Sequence, residues 1–303
     1  MAATPATNTV IVIAGPTAAG KTAVAVALAK QLGTSVISAD SRQCYHGMAI
    51  GTAAPTLAEQ QGVKHYFVDE FPVTQQLTAA NFETLALGYL EEIFKTNSVA
   101  ILCGGTGLYI KALCEGLDEM PEVNPQIAEE VNQDYQMQGL QWLQQAVHAE
   151  DPEFYAQAEV QNPARLQRAL IFKRSTGESI IHFRKGVKKQ RPFRIIKACL
   201  DLPREILYSR INQRVDHMIQ QGLLNEVKAL YPYRQLKNLQ TVGYAELFDY
   251  IDGKYDLPET IEKIKQNSRN YAKRQLTWFR RDKEMKWFAA DDPAIIEKLH
   301  VLL

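Results

Sequence analysis

The first third of the chain alternates between short apolar runs and amphipathic segments. Residues 9–14, 34–40, 65–70 and 98–103 have the length and the enrichment in β-branched or aromatic residues that are typical of strands. Residues 79–95 instead repeat their apolar positions with a helical period. Strands separated by helices favour a parallel sheet with helices on both faces.

The middle of the chain follows a different pattern. Between residues 120 and 190 no strand pattern appears, and proline and glycine divide the segment into several short helices. A strand pattern returns at 192–200, a long helix follows over 204–222, and the remainder is mostly helical. The sequence therefore predicts an α/β fold, in which residues 1–119 and 191–303 form a parallel-sheet core with a helical C-terminal part. Residues 120–190 form an inserted, all-helical lobe.

The segment "GPTAAGKT" directly follows the first predicted strand and matches the phosphate-binding loop motif. In this motif the glycines allow successive backbone N–H groups to point into one concavity, and the following helix adds its positive end. Lys21 is expected to reach the outer phosphate, and the Thr22 hydroxyl suits Mg²⁺. The fold is therefore expected to be P-loop NTPase-like, the alternative being an ordinary glycine turn. The expected phosphate-loop residues are Gly15, Pro16, Thr17, Ala18, Ala19, Gly20, Lys21 and Thr22.

An acidic residue, Asp40, ends the second predicted strand. A carboxylate that faces a phosphate loop is a candidate general base or Mg²⁺ ligand, and the alternative is a turn-capping role. The fourth strand ends in "CGGTG", with Thr106 but without the Asp that holds Mg²⁺ in switch-type NTPases. Because ligands bind at the carboxyl ends of parallel strands, Gly15, Asp40 and Gly104 are expected to meet at one cleft.

Bulk composition narrows the class of protein only slightly. The 303 residues are 46% hydrophobic, enough for one large core or a core with a smaller lobe, and the formal net charge is zero. The N-terminal "MAATPATNT" has no basic or apolar signal region, and no segment predicts a membrane span. The four cysteines lack Cys-x-x-Cys spacing, which favours a reducing cytoplasm over a zinc site or disulfide framework.

The charges are segregated along the chain. Residues 115–160 contain eleven acidic residues and no Lys or Arg, whereas residues 179–200 contain seven Lys or Arg and no acid. Residues 263–281 are equally basic, with aromatic residues interleaved. Basic stretches with planar side chains indicate an RNA-binding surface, although a solvated helix face explains them equally well.

Five motifs, in this order, resemble the bacterial tRNA dimethylallyltransferase family: "GPTAAGKT", "SVISADSRQCYHGMAIGTAAP", "GGTGLYIKAL", "RINQRVDHMIQQGLLNEV" and "TVGYAEL". The resemblance extends from about Val10 to Phe288, and the closing stretch resembles Bacteroidetes-type members. Ala54 and Ala245 depart from the Lys or Arg that many relatives have. The resemblance implies transfer of a dimethylallyl group from dimethylallyl diphosphate to tRNA. The acceptor is the exocyclic amine of the adenosine just 3′ of the anticodon.

The resemblance also implies roles for individual residues. Asp40 would accept the amine proton, Lys21 and Thr22 would serve a Mg²⁺-diphosphate, and Arg214 would stabilise the departing diphosphate. On the predicted helix over 204–222, an apolar stripe occupies one face, and Arg210 and Arg214 lie together on another face. The alternative for Arg210 is a simple surface charge. The implied tRNA contacts are Asp40, Ser41, Arg42, Gln43, Thr106, Arg165, Gln167 and Arg168. A purely structural role remains the alternative for Arg165 and Arg168.

The resemblance further implies Mg²⁺ as the cofactor, tRNA and dimethylallyl diphosphate as partners, and a cytoplasmic monomer without membrane association. Three other functions remain open on the residues alone. The first is a small-molecule or nucleoside kinase that uses the loop for ATP. The second is an enzyme that modifies a free adenine nucleotide. The third is a non-catalytic RNA-binding protein in which the loop acts as a ligand sensor.

Overall fold

The structure, a computed structural model, describes residues 8–303. These residues form two compact units, one comprising 8–115 and 190–303 and the other 116–189. The expectation that no signal segment is present rests mainly on residues 1–7, which lie outside the described residues. Within residues 8–303, no helix combines the length and the apolar character needed to cross a membrane.

A six-stranded, fully parallel sheet forms the centre of the first unit, in the order β3-β2-β4-β1-β5-β6. The strands are β1 (Thr9–Ala14), β2 (Val36–Ser38), β3 (His65–Tyr66), β4 (Val99–Gly104), β5 (Arg194–Asp201) and β6 (Lys286–Ala289). The α/β prediction with a parallel sheet flanked by helices is confirmed. β3 is shorter than the predicted run because Phe67 and Asp69 adopt left-handed backbone conformations, with φ of 60° and 53°, which end the extended segment.

The helices cover the sheet and build the second unit. In chain order they are α1 (Lys21–Leu32), α2 (Leu57–Gln60), α3 (Ala79–Ile93), α4 (Gly107–Glu115), α5 (Pro125–Glu150), α6 (Pro152–Tyr155), α7 (Pro163–Thr176), α8 (Arg204–Gln220), α9 (Leu223–Leu230), α10 (Tyr244–Ile251), α11 (Leu257–Phe279) and α12 (Ile295–His300).

The central strand β1 is buried on both faces, as expected for a parallel sheet between two helical layers. Val10 and Val12 point into a core shared with α3 and α4. Ile11 and Ile13, one residue out of phase, point into a second core shared with α1 and α12. This alternation explains why β1 is a continuous apolar run, and it fixes the position at which the chain enters the phosphate loop.

The second unit, residues 116–189, is helical and has its own apolar core. Its three helices each begin with a capping residue followed by proline, at Asn124, Asp151 and Asn162. α5 is interrupted at Gly139, whose φ of 74° and ψ of −168° are not helical, so the segment consists of two helical stretches. The predicted division of this region by proline and glycine therefore matches the local backbone.

Candidate active site

The first unit contains a cavity of about 730 Å³ at the carboxyl edge of its sheet. The phosphate loop and the start of α1 form one wall, and the ends of β2 and β4 form another. The segment 49–56, residues 241–243 and residues of α8 and α11 also contribute to the lining. The site therefore draws on segments that are distant in sequence.

The phosphate loop has the backbone that its motif predicts. Gly15 and Gly20 take φ of 147° and 87°, and Ala18 between them also has a positive φ, 63°. α1 then begins at Lys21, so that the first N–H groups of the helix lack intrahelical partners near the cavity. This geometry is that of an anion-binding site.

The ammonium group of Lys21 lies inside this loop. Its Nζ donates a hydrogen bond to the carbonyl oxygen of Pro16 over 2.8 Å. Burial, the largest cause, lowers the pKa of Lys21, and the positive charge of Arg214 lowers it further. A bound anion would favour the charged form of Lys21 again, so this buried cation is suited to an anionic ligand.

Arg214 approaches the same loop from α8. Its Nη1 donates to Oγ1 of Thr17 over 3.3 Å, and the side chain lines the cavity. Burial lowers the pKa of this guanidinium. The apolar stripe that the sequence predicts is buried, and it consists of Leu207, Ile211, Val215 and Met218. Arg210, one turn before Arg214, is exposed and does not line the cavity, so the two arginines have different environments.

Asp40 follows β2 and also lines the cavity. Its Oδ1 accepts hydrogen bonds from the backbone N–H groups of Arg42 and Gln43, at 2.9 and 3.3 Å. This is the turn-capping arrangement. Its second oxygen, Oδ2, has no hydrogen-bond partner among residues 8–303. One carboxylate can therefore fix the turn through Oδ1 and still accept a proton through Oδ2.

The ends of β2 and β4 meet beside Asp40, as the sequence predicts. The N–H of Ser41 donates to Oγ1 of Thr106 over 3.0 Å, and the N–H of Thr106 donates to the carbonyl oxygen of Ala39 over 3.0 Å. Arg42 lines the cavity, and its Nε is buried without a hydrogen-bond partner among the described residues.

Gln43 has its side-chain amide bound to protein. Its Nε2 donates to the carbonyl oxygens of Thr52 and Ala53, at 3.2 and 3.1 Å, and its Oε1 accepts from Ser38 over 3.2 Å. Gln43 therefore anchors the segment 49–56, which lines the cavity. Its contact with tRNA stays a prediction.

α11 contributes Tyr271 and Gln275 to the site, and the sequence patterns assigned neither residue to this cavity. Tyr271 lines the cavity. Burial raises the pKa of Tyr271 to about 12, and the nearby charge of Asp40 contributes. Gln275 bridges the phosphate loop and the β4–α4 turn. Their spacing of four residues on a helix was the available signal, but the basic residues around them dominated the pattern.

The remaining predicted tRNA contacts lie on α7 in the second unit. Arg165 and Arg168 are exposed, and Arg165 forms an ion pair with Glu159 at 3.3 Å. Gln167 donates to Asn132 over 3.0 Å. Burial and then the positive charges of Arg168 and Arg165 lower the pKa of Arg184. A role of this basic surface in RNA binding stays a prediction.

The oxygen atoms near the loop fit the ligand preference of Mg²⁺. The Thr22 hydroxyl and the Asp40 carboxylate line one cavity, and Mg²⁺ is commonly bound by one or two protein oxygens together with substrate phosphates. A separate acidic group does not offer a comparable site, because Glu115, Asp282 and Glu284 surround the buried ammonium of Lys197 at 3.2, 2.8 and 2.9 Å.

Comparisons with known proteins agree with this architecture. A family model described as IPP transferase matches residues 43–282. The tRNA dimethylallyltransferase of Cytophaga hutchinsonii is 48% identical over 279 residues, which cover 92% of each chain. The crystal structure of a tRNA isopentenylpyrophosphate transferase from Bacillus halodurans has a TM-score of 0.72 at 36% identity, covering 97% of this chain and 95% of that one.

A third relative extends the agreement in fold. A eukaryotic dimethylallyltransferase, solved as it acts on tRNA, has a TM-score of 0.78 at 24% identity, covering 97% of this chain and 77% of that one. The match to the family model and the identity to the bacterial relative confirm the resemblance seen in the sequence motifs. The chain belongs to the IPP transferase family.

Proposed function

We propose that this protein transfers the dimethylallyl group of dimethylallyl diphosphate to the exocyclic amine of the adenosine 3′-adjacent to the anticodon in tRNA, and releases diphosphate. One observation carries the proposal: a single cavity joins a phosphate-binding loop to a carboxylate that has an unbonded oxygen. Curated relatives named tRNA dimethylallyltransferase support the choice of substrates.

At the diphosphate end, the allylic C–O bond breaks and its electron pair leaves on the diphosphate oxygen. The developing negative charge needs stabilisation that is already in place. The loop N–H groups, the ammonium of Lys21 and the guanidinium of Arg214 supply it, because all three border the same space. Both side chains are partly desolvated, which strengthens their interaction with an anion.

At the amine end, the adenine nitrogen forms the new N–C bond and must lose a proton. An aryl amine is weakly basic, so a carboxylate within hydrogen-bonding reach assists the step. Oδ2 of Asp40 accepts that proton, while Oδ1 keeps the carboxylate oriented through its two backbone bonds. The target base must first leave the stack of the anticodon loop, and Arg42, which lines the cavity, is proposed to contact it.

Mg²⁺ is proposed as the cofactor, held by the Thr22 hydroxyl together with the diphosphate oxygens. When bound, the ion neutralises part of the diphosphate charge. Arg165 and Arg168 are proposed to contact the tRNA backbone, and Ser41, Gln43, Thr106 and Gln167 to contribute further contacts. We propose a monomer that acts in the cytoplasm, where tRNA is available.

The test uses dimethylallyl diphosphate labelled in its dimethylallyl group, incubated with the protein, Mg²⁺ and either tRNA or AMP. The expected result is label on tRNA at the adenosine next to the anticodon, with release of unlabelled diphosphate. A tRNA transcript with guanosine at that position is the matched control and should stay unlabelled. Label on AMP alone, or no transfer to either acceptor, would contradict the proposal.

A further inference from the structure

Gln275 on α11 connects two segments of the active site through its amide. Its Oε1 accepts a hydrogen bond from the N–H of Thr17 over 2.8 Å, and its Nε2 donates to the carbonyl oxygen of Gly105 over 2.9 Å. The residue is 6% exposed. Both ends of the amide are therefore bound to backbone, one in the phosphate loop and the other in the turn after β4.

The fit around this amide is close. A Cβ atom added to Gly105 would lie 2.2 Å from Nε2 of Gln275, so the amide packs directly against the Gly105 backbone. A side chain at position 105 would therefore displace the amide from this contact. The two hydrogen bonds of the amide set the position at which Oε1 meets Thr17.

Thr17 is the residue whose orientation matters for the loop that follows. Its N–H is bound by Gln275 and its hydroxyl accepts from Arg214, so the residue is held on two sides. The next residue, Ala18, has a φ of 63°, a left-handed conformation that a side chain disfavours. A conformation of this kind persists only where the surroundings impose it.

We propose that Gln275 is a positioning residue that holds Thr17, and through it the strained Ala18, in the conformation in which the phosphate loop binds diphosphate. The inference rests on the proposed function, because it assumes that this loop binds the diphosphate. Gln275 accepts the Thr17 N–H, and the Ala19 N–H donates to the carbonyl oxygen of Pro16 over 3.3 Å, so the N–H groups that follow are the ones proposed to bind the ligand. It acts through the loop and is not a catalytic residue.

The first test replaces Gln275 with a side chain of similar shape and no hydrogen bonds. Gln275→Met leaves the Thr17 N–H and the Gly105 carbonyl without their partner, so the Kd for inorganic pyrophosphate should rise by about tenfold. The Kd for tRNA should change by less than about twofold. Gln266→Met is the matched control, because Gln266 is exposed on the same helix, and it should change neither constant.

The second test uses Gln275→Glu and a pH series, a readout that a purely structural role would not change. A protonated Glu can accept from Thr17 and donate to Gly105, as Gln does. An ionised Glu loses the donor and places a negative charge beside the anion. Burial raises the pKa of such a carboxyl. The ratio of the variant's pyrophosphate Kd to that of the wild type should therefore be large at alkaline pH and fall toward one as the pH becomes mildly acidic.

The outcomes separate this inference from the function on which it rests. Equal loss of pyrophosphate and tRNA binding in Gln275→Met, or a Kd ratio for Gln275→Glu that does not change with pH, would overturn the positioning role. If the wild type binds pyrophosphate but transfers no label to tRNA, the proposed function fails, while weakened binding in Gln275→Met still supports the positioning role. A wild type that does not bind pyrophosphate would overturn both.

Discussion

Arg214 donates a hydrogen bond from Nη1 to Oγ1 of Thr17 over 3.3 Å, across 197 residues of sequence. Through this bond the guanidinium of Arg214, which belongs to α8, lies against the phosphate loop. Burial lowers the pKa of that guanidinium. A partly desolvated cation in a phosphate site stabilises negative charge more strongly than an exposed one. The structure thereby separates Arg214 from Arg210, which the sequence alone placed on the same helix face.

Replacing Arg214 with alanine should lower the single-turnover transfer rate by about 10² to 10³, the usual loss when one preorganised donor to a developing anion is removed. The Kd for tRNA should stay within about twofold of the wild-type value. Rapid-quench measurement of label transfer gives the rate, and filter binding gives the Kd.

The control for this prediction is Arg210→Ala, which removes the same charge from the same helix at an exposed position. It should transfer at the wild-type rate. If both variants lose activity equally, Arg214 contributes to the transfer rate through the net charge of α8 and not through its contact with Thr17.

Lys21→Met should weaken pyrophosphate binding by at least about tenfold, because a charge-assisted contact is worth about 1.5–3 kcal/mol. The pH dependence gives a sharper readout. Burial lowers the pKa of Lys21, so in the ligand-free protein its charge is lost at a lower pH than that of an ordinary lysine. Bound diphosphate favours the charged form. The advantage in affinity of the wild type over Lys21→Met should therefore be present at neutral pH and fall as the pH rises through that lowered pKa.

Lys30→Met serves as the control for Lys21, because Lys30 is an exposed lysine near the end of the same helix. Isothermal titration calorimetry with pyrophosphate should give it the wild-type affinity at every pH. If the wild type binds pyrophosphate more tightly than Lys21→Met by the same factor throughout the alkaline range, the charge-based role of Lys21 is contradicted.

Features of the fold and site that depend on residues adjacent in sequence could be predicted, whereas features that depend on residues distant in sequence could not. Three features depend only on adjacent residues and could be predicted from them. The apolar run predicts β1, the glycines predict the phosphate loop, and the helix-forming residues after the loop predict the start of α1. β6 (Lys286–Ala289) was not predicted, because it is a four-residue edge strand of partly exposed residues that becomes a strand only by pairing with β5. Gln275 was missed for the same reason: both of its backbone partners are distant in the chain.

The basic surface of α7 gives a prediction for tRNA binding. Changing Arg165 and Arg168 together to alanine should weaken tRNA binding, because both side chains are exposed and a phosphate can replace the exposed Glu159 carboxylate that pairs with Arg165. The slope of log K against log salt concentration should fall by about one unit for each lost phosphate contact. Pyrophosphate binding should be retained, since neither residue lines the cavity.

The control is the pair Lys30→Ala and Lys95→Ala, two exposed cations near the amino-terminal edge of the sheet in the first unit. This pair removes the same total charge away from the cavity and should leave the salt slope unchanged. An unchanged slope in the Arg165 and Arg168 variant would assign both arginines to helix packing or to a solvated surface.

Asp40→Asn tests the chemical step. Asparagine keeps an oxygen that can accept the N–H groups of Arg42 and Gln43, but it cannot act as a base at the position of Oδ2. The variant should bind tRNA and dimethylallyl diphosphate normally, while single-turnover transfer slows by about 10² to 10⁴, the usual effect of removing a general base. Asp69→Asn is the control, because Asp69 is an exposed carboxylate in the same unit, and it should transfer at the wild-type rate.

The other two roles of Asp40 predict different results for the same variant. If Asp40 is a Mg²⁺ ligand, Asp40→Asn should weaken diphosphate binding, and raising the Mg²⁺ concentration should partly restore it. If its function is only to cap the turn, Asp40→Asn should keep nearly normal turnover, because asparagine retains the accepting oxygen, and Asp40→Ala, which removes that oxygen, should lower the melting temperature. Measuring the transfer rate, the diphosphate affinity over a Mg²⁺ series and the melting temperature distinguishes the three. A transfer rate close to that of the wild type would exclude Asp40 as the base.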